Sequence, residues 1–303
     1  MRKMLFAIFA MGALVSCLNE EILDLNREQI AFGEVFVDNG TRADYSQLGK
    51  PVTAFKVYGT ATGLGNTVQI FNGADVTRPN NYYNDETGVY DSTVPWVCTK
   101  PQYWLPKVEY KFAAIVDGVA TATTGLPVTI PFTVADGDAN FDLLYAEAQA
   151  ITDENGEPDN SPVAFTFRHL LSKMQFEINK QSNQEIEVMS ITVTGFVEKG
   201  IYDVGGDKWA QNGSTTTTLN FINSDGELEP RQILPIPDVE QVLDVTIKYK
   251  FANVEFEKSG TITQEFEQNT VYVVTATLTG VAIDFSIKID STLEWGEGDS
   301  TII

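Results

Sequence analysis

The sequence predicts an all-β protein of sandwich architecture, and three observations carry that reading. Apolar residues recur with a period of two, turn formers interrupt the chain at short intervals, and no long amphipathic helical stretch is present. Ile283, Phe285, Ile287 and Ile289 alternate with Asp284, Ser286, Lys288 and Asp290. Leu243, Val245, Ile247, Tyr249 and Phe251 alternate in the same way with Asp244, Thr246, Lys248 and Lys250. Such segments place one face on a core and the other in water, as antiparallel sheets do. Further strands are expected at Ala54–Thr60, Val108–Val116, Val163–Phe167, Lys173–Asn179, Ile186–Val197 and Thr270–Thr279. Turns are expected at Asn72-Gly73, Asp117-Gly118, Asn155-Gly156, Gly205-Gly206 and Asp225-Gly226. The best helical candidate is a turn or two at Phe141–Gln149.

The most polar interior stretch runs from Thr152 to Pro162 and is rich in turn formers and charge, which leaves little to bury. A boundary there divides the chain into an N-terminal sandwich at 29–162 and a C-terminal sandwich at 163–303. A long loop inside a single domain is the competing reading. With 303 residues and an apolar fraction of 43%, the chain has material for one large or two ordinary cores.

The first residues read as an export signal. Arg2 and Lys3 precede an uncharged run from Met4 to Ser16, which is too short to span a bilayer as a helix. Leu14-Val15-Ser16-Cys17 resembles the lipobox of bacterial lipoproteins, in which the cysteine is acylated and the preceding peptide removed. Residues 1–16 are thus expected to be a signal peptide, Cys17 the lipidation site, and 17–28 a lipidated linker. Asn19, Glu20 and Glu21 resemble the acidic surface-export signal of Bacteroides-type lipoproteins. Net charge is −22, from 20 basic and 42 acidic residues, a field that disfavours nucleic acid and anionic lipid as partners. Beyond Cys17 there is only Cys98, so the mature chain has no intramolecular disulfide; Cys98 reads as a small buried hydrophobe.

Few residues point to chemistry. His169 is the single histidine, so a Ser-His-Asp triad must use it and a multi-histidine metal site cannot form. It lies among apolar neighbours at the end of a strand and reads as a structural residue. No glycine-rich phosphate loop is present, and no cofactor or metal is expected. Asp153–Asp159 and Asp136-Gly137-Asp138 offer oxygen ligands but do not fit a twelve-residue calcium loop, and they read as solvated turns. Aromatic residues cluster between Asn80 and Phe112. Core packing is the plain account of them; Trp96 and Trp104 are the candidates for stacking on sugar rings if the cluster faces solvent.

Several segments taken together resemble the fimbrillin family of Bacteroides-type bacteria, the subunits of type V pili. In order, they are Gly40-Thr41-Arg42-Ala43, Phe55-Lys56-Val57-Tyr58-Gly59, Phe71-Asn72-Gly73, Tyr103-Trp104-Leu105-Pro106 and Tyr110-Lys111-Phe112-Ala113-Ala114. Asp142-Leu143-Leu144-Tyr145-Ala146, Phe167-Arg168-His169-Leu170-Leu171-Ser172-Lys173-Met174 and Trp295-Gly296 complete the set. The resemblance implies two transthyretin-like antiparallel β-sandwich domains in tandem. It implies a subunit exported as a lipoprotein to the outer membrane and trimmed after an arginine. Trimming opens a groove that a strand from a neighbouring fimbrial subunit then fills. Carried onto this sequence, the removable first strand is Gln29–Val37, with Ile30, Phe32, Val35 and Phe36 as its apolar members. Arg42 is the trimming site, and Ile283, Phe285, Ile287 and Ile289 form the candidate donor strand. Arg27 is the alternative cut, although it precedes the strand. The residues after Ile289 include the polar run Glu294–Asp299 rather than an evident extended donor arm, which leaves room for a tip, accessory or anchor subunit. The expected function is a non-enzymatic pilus subunit or tip adhesin; the alternative is a surface lipoprotein that binds glycan without polymerising.

Overall fold

The computed structural model describes residues 27–37, 45–46, 50–78, 83–84, 89–91, 94–118, 120, 125–134, 142–180, 186–221, 235–279, 283–289 and 301–302. Strands account for all regular structure among them, and no helix occurs. The chain opens with β1 (Phe32–Val37), β2 (Tyr45–Ser46), β3 (Lys50–Pro51), β4 (Ala54–Gly63), β5 (Asn66–Thr77) and β6 (Tyr83–Asn84). It continues with β7 (Val89–Tyr90), β8 (Val97–Cys98), β9 (Glu109–Val116), β10 (Thr129–Thr133), β11 (Leu144–Ile151) and β12 (Val163–His169). Then follow β13 (Lys173–Lys180), β14 (Ile186–Val197), β15 (Lys199–Asp203), β16 (Lys208–Gln211) and β17 (Thr216–Asn220). The last strands are β18 (Glu240–Phe251), β19 (Val254–Glu265), β20 (Val271–Leu278), β21 (Ile283–Ile289) and β22 (Thr301–Ile302).

Seven strands form the largest sheet, in the order β1-β12-β11-β9-β4-β5-β8. Every pairing in it is antiparallel except the first, where β1 runs parallel to β12. Two four-stranded sheets, β21-β20-β13-β22 and β17-β14-β18-β19, and the three-stranded β10-β15-β16 make up most of the remainder. Parallel contacts recur where β13 meets β20 and β22.

The buried apolar residues fall into two clusters. One gathers Ile30, Phe32, Val35, Phe55, Phe71, Trp96, Trp104, Phe112, Phe165 and Phe167 on one face of the seven-stranded sheet. The other spans β13, β14, β18 and β20, and also takes Tyr58, Ala113, Ile115 and Tyr145 from the opposite face of that sheet. The end of β9 is therefore buried on both faces, from Phe112 to Val116, and its paired alanines allow the close approach.

The structure departs from the sequence expectations at two places, each for a non-local reason. The best helical candidate, Phe141–Gln149, contributes residues 144–149 to strand β11, which pairs along its whole length with β9. Helix propensity differences of a few tenths of a kcal/mol per residue yield to that ladder and to the burial of Leu144, Tyr145 and Ala146. Asn72-Gly73 does not end a strand. Gly73 (φ 65°) is the extra residue of a bulge inside β5, between the pairs Tyr58–Asn72 and Val57–Ala74. The position 162/163 falls immediately before β12, and β12 hydrogen-bonds to β11 and β1, so the first sheet continues past that position to His169.

Polar contacts fix the passage from β12 to β13. Trp209 Nε1 donates to the Leu170 carbonyl at 2.6 Å, and Ser172 Oγ donates to the Glu267 carbonyl at 2.8 Å. Arg168 donates to Asp207 (2.7 Å) and to the Tyr202 hydroxyl (2.6 Å), and its guanidinium lies 5.7 Å from the Tyr145 ring centre. This clamp ties the first sheet to the β15–β16 hairpin. Hydrogen bonds from Tyr202 and Arg168 hold the Asp207 carboxyl below the usual carboxylate range. A depressed folded value contributes stability that is complete above the unfolded value of about 3.9 and is lost as pH falls through the folded one. Asp207→Asn is therefore expected to flatten the acid limb of a stability–pH profile below about pH 4. The change should be under about 1 kcal/mol, because the Asp207 side chain is 62% exposed. Urea titrations between pH 2.5 and 6 would measure it.

Candidate functional site

The segment Gln29–Val37 contains β1, the end strand of the seven-stranded sheet among the described residues. Its parallel register pairs Phe32 with Val163, then Val35 with Phe165, so one residue is extra on β1. That bulge falls at Gly33-Glu34 and re-phases the strand, which lets Phe32 and Val35, three apart, both point inward. Glycine suits this position, because a Cβ would come to 3.0 Å from the Pro162 ring and 3.3 Å from its carbonyl oxygen, tighter than most such contacts. Ile30, Phe32 and Val35 are buried as expected. Phe36 is half-buried, and Val37 takes the second inward position after the bulge. A strict alternation cannot show such a one-residue shift.

Residues before β1 are held on the opposite side. Ile30 N donates to the Gln102 carbonyl at 2.8 Å, and Trp104 N donates to the Glu28 carbonyl at 3.0 Å. On the β12 side, Val163 N donates to the Ala31 carbonyl at 2.9 Å. The segment 28–37 thus lies in a slot whose walls are 102–104 and β12. Its floor is aromatic: the Phe32 ring lies 5.8 Å from Phe55, 5.9 Å from Phe71 and 6.0 Å from Phe165.

Burying Ile30, Phe32, Val35 and Val37 is worth about 1.5–3 kcal/mol each, an upper estimate. Together they approach the whole stability of a small domain, about 5–15 kcal/mol. A subunit that lost this segment would expose an aromatic floor and the edge of β12. Such an edge either takes up another strand or aggregates.

Of the other sequence-chosen residues, Trp104 lies in the slot wall through its backbone. Arg42 and Cys17 lie outside the described residues, as do Asp136-Gly137-Asp138 and Trp295-Gly296. Arg27 is exposed. Ile283–Ile289 forms β21, paired in antiparallel register with β20 from Ile283–Leu278 to Ile289–Tyr272, so it lies in a sheet of its own chain. The chain end also pairs within its own chain, Thr301 with Glu177 and Ile302 with Ile178. Nothing in the sequence signalled that contact beyond two β-favouring residues.

Trp96 and Trp104 are core residues and present no face to a sugar. Trp104 is 1% exposed and packs edge-on to Tyr110 at 4.8 Å; Trp96 is 7% exposed and lies between Phe55 at 5.0 Å and the Arg78 guanidinium at 4.5 Å. Packing against Trp104 accompanies a strong perturbation of Tyr110, whose hydroxyl burial pushes up to about 12. Cys98 is buried and reduced, and burial raises its thiol.

His169 Nδ1 lies 2.7 Å from Asp142 Oδ2, and both side chains are fully enclosed. Ser172, the nearest serine in sequence, bonds to the Glu267 carbonyl instead, so the histidine and aspartate serve the β11–β12 junction. Asp153 turns its carboxylate onto the backbone of Asn155 and Glu157, at 2.8 and 2.9 Å, and so caps its own loop. Among the described residues no group of three or more His, Cys, Asp or Glu side chains is placed to hold a metal ion.

A fimbrillin-like family model matches residues 41–294, most of the chain. The chain belongs to the fimbrillin-like family. No curated protein sequence matches it. Two solved structures resemble it in fold. A Bacteroides ovatus ATCC 8483 protein provisionally named a cell adhesion protein is 14% identical with a TM-score of 0.56; the match covers 90% of this chain and 99% of that one. A Bacteroides uniformis ATCC 8492 protein named in the same way is 13% identical with a TM-score of 0.53, over 86% of this chain and 97% of that one.

Two substitutions separate the slot from its surroundings. Phe32→Ala is expected to cost about 3–4 kcal/mol and Phe36→Ala less than half of that, read by chemical denaturation of the full chain. His169→Ala removes one partner from the enclosed Asp142 and should cost about 3 kcal/mol by the same assay.

Proposed function

We propose that this fimbrillin-like protein is a fimbrial subunit that assembles by strand exchange, with β1 as the strand given up. The observation that carries the reading is the position of β1. It ends the sheet, pairs with β12 alone along Phe32–Val37, and fills an aromatic slot. The family match begins at residue 41, downstream of β1, as expected if β1 belongs to the precursor rather than to the part shared by assembled subunits. Names given to the structural relatives, cell adhesion proteins, agree with a place at the cell surface.

In this reading Cys17 carries the lipid that delivers the precursor to the outer membrane. A cut at Arg42 then releases the lipid together with β1. The two sandwiches stay joined, and a strand from the C-terminal region of a neighbouring subunit enters the vacated slot. Main-chain hydrogen bonds to β12 supply affinity, and inward side chains replace Phe32, Val35 and Val37. β21 is bonded along all seven of its residues, whereas β22 is a two-residue contact. The candidate donor Ile283–Ile289 is β21, an edge strand that pairs with β20 among the described residues.

N-terminal sequencing of the fibre-associated protein tests this. The expected start is Ala43, with SDS-resistant ladders that disappear in Arg42→Ala. A fibre-associated chain that begins at an acylated Cys17 would overturn the proposal.

A further inference from the structure

The register of the seven-stranded sheet points to a second contact surface. Thr62 pairs with Glu109, and Glu109 with Ile151, so the β4–β5 hairpin tip lies beside the end of β11. Asp159 N donates to the Ile151 carbonyl at 2.9 Å, and three residues later Pro162 packs on Gly33. Phe32 pairs with Val163 at this same end of β12. The hairpin tip, the end of β11 and the entry of β1 into its slot thus share one pole of the sheet.

This pole exposes two large apolar side chains among charged ones, and its turn is strained. Leu64 is 85% exposed and adopts φ 52°, followed by Gly65 at φ 79°. A turn with two left-handed central residues favours Asn-Gly, and a leucine there is strained and offers its side chain to water. Ile151 is 57% exposed beside it. Leu64, Gly65, Lys107, Glu109, Ile151 and Glu154 border an open depression of about 610 Å³, with a Lys107–Glu154 ion pair of 3.0 Å on its rim. Neither the fold of the isolated chain nor the strand slot uses Leu64.

We propose that this pole docks the body of a second copy of the chain, as an interface distinct from the strand slot. The identity of the occupant rests on the strand-exchange reading. A donor that follows the course of β1, parallel to β12, enters at this pole, so the subunit it belongs to abuts Leu64 and Ile151. Among the described residues Leu64 and Ile151 stay exposed with β1 in its slot.

Leu64→Asn tests the proposal, because it relieves the left-handed strain while removing the apolar contact. The full chain, trimmed with an arginine-specific protease, is compared in wild-type, Leu64→Asn and Ile151→Thr forms. Two readouts are taken: the yield of SDS-resistant polymer, and binding of a labelled synthetic Gln29–Val37 peptide to the emptied slot. The expected result for Leu64→Asn is a thermal midpoint at or above wild type, peptide affinity within about twofold, and polymer formation about tenfold slower, the loss of one central apolar contact. Ile151→Thr should slow polymer formation in the same direction. Unchanged polymer formation in both variants overturns the docking surface and leaves strand exchange standing. Loss of peptide binding in Leu64→Asn overturns it as well, by making the tip part of the slot. A wild-type chain that neither polymerises nor takes up the peptide overturns both readings together.

Discussion

The contact between the Phe32 ring and Phe55, Phe71 and Phe165 is the interaction on which the first sheet depends. Those three floor residues come from β4, β5 and β12, strands spread across the sheet and over a hundred residues of sequence. The last of them, Phe165, is also bonded through its backbone to β1. One ring therefore closes the cluster from above while its own strand closes the edge from the side. Because the same nine-residue segment performs both tasks, its loss is felt twice, as exposed aromatic surface and as an open row of peptide groups. Neither defect is tolerable alone in water.

The rest of the molecule limits how far such a loss would propagate. The second apolar cluster draws on the opposite face of β4, β9 and β11 through Tyr58, Ala113, Ile115 and Tyr145. These strands are held from behind whether or not the front is closed. Behind β12, the enclosed His169–Asp142 pair, the Trp209 bond to Leu170 and the Arg168 clamp fix its far end. β12 is thus anchored at one end by polar bonds and completed at the other by β1. A strand placed in this way can lose its edge partner and still present a formed template to a replacement.

Much of this fold is legible in the sequence because period-two alternation is a local signal. β14 and β21 occupy the ranges that alternation marks, and β4, β9, β13 and β18 differ only at their ends. What alternation cannot carry is information about partners. Phe141–Gln149 reads as a helical candidate because nothing in its own neighbourhood announces the ladder of β11 with β9. Asn72-Gly73 reads as a turn because a bulge and a turn use the same residues for the same positive φ. At the slot, the sequence marks Phe36 only as an apolar member of the strand, and the Gly33-Glu34 bulge places Val37 rather than Phe36 in the buried position. Trp96 and Trp104 offered stacking surfaces in sequence; their burial is decided by strands far away. The parallel sense of β1 against β12 left no trace in the sequence.

That parallel sense matters to the proposed function. One antiparallel pair in this sheet, β4 and β5, is joined by a tight connection through Leu64-Gly65. Pulling out such a strand breaks a hairpin and disturbs its partner. A parallel neighbour cannot be joined by a short turn, and β1 and β12 lie more than a hundred residues apart. The covalent path from β1 to the rest of the sheet runs only through the stretch before β4, which contains Arg42. One cut in that stretch converts β1 from an integral strand into a bound peptide, without altering any turn of the sheet it leaves. Its retention then depends on the main-chain bonds to β12 and to 102–104 and on four buried side chains, all of which an incoming strand of similar pattern can supply. In the proposed exchange, replacement is a competition between two peptides for one slot and leaves the turns of the sheet intact.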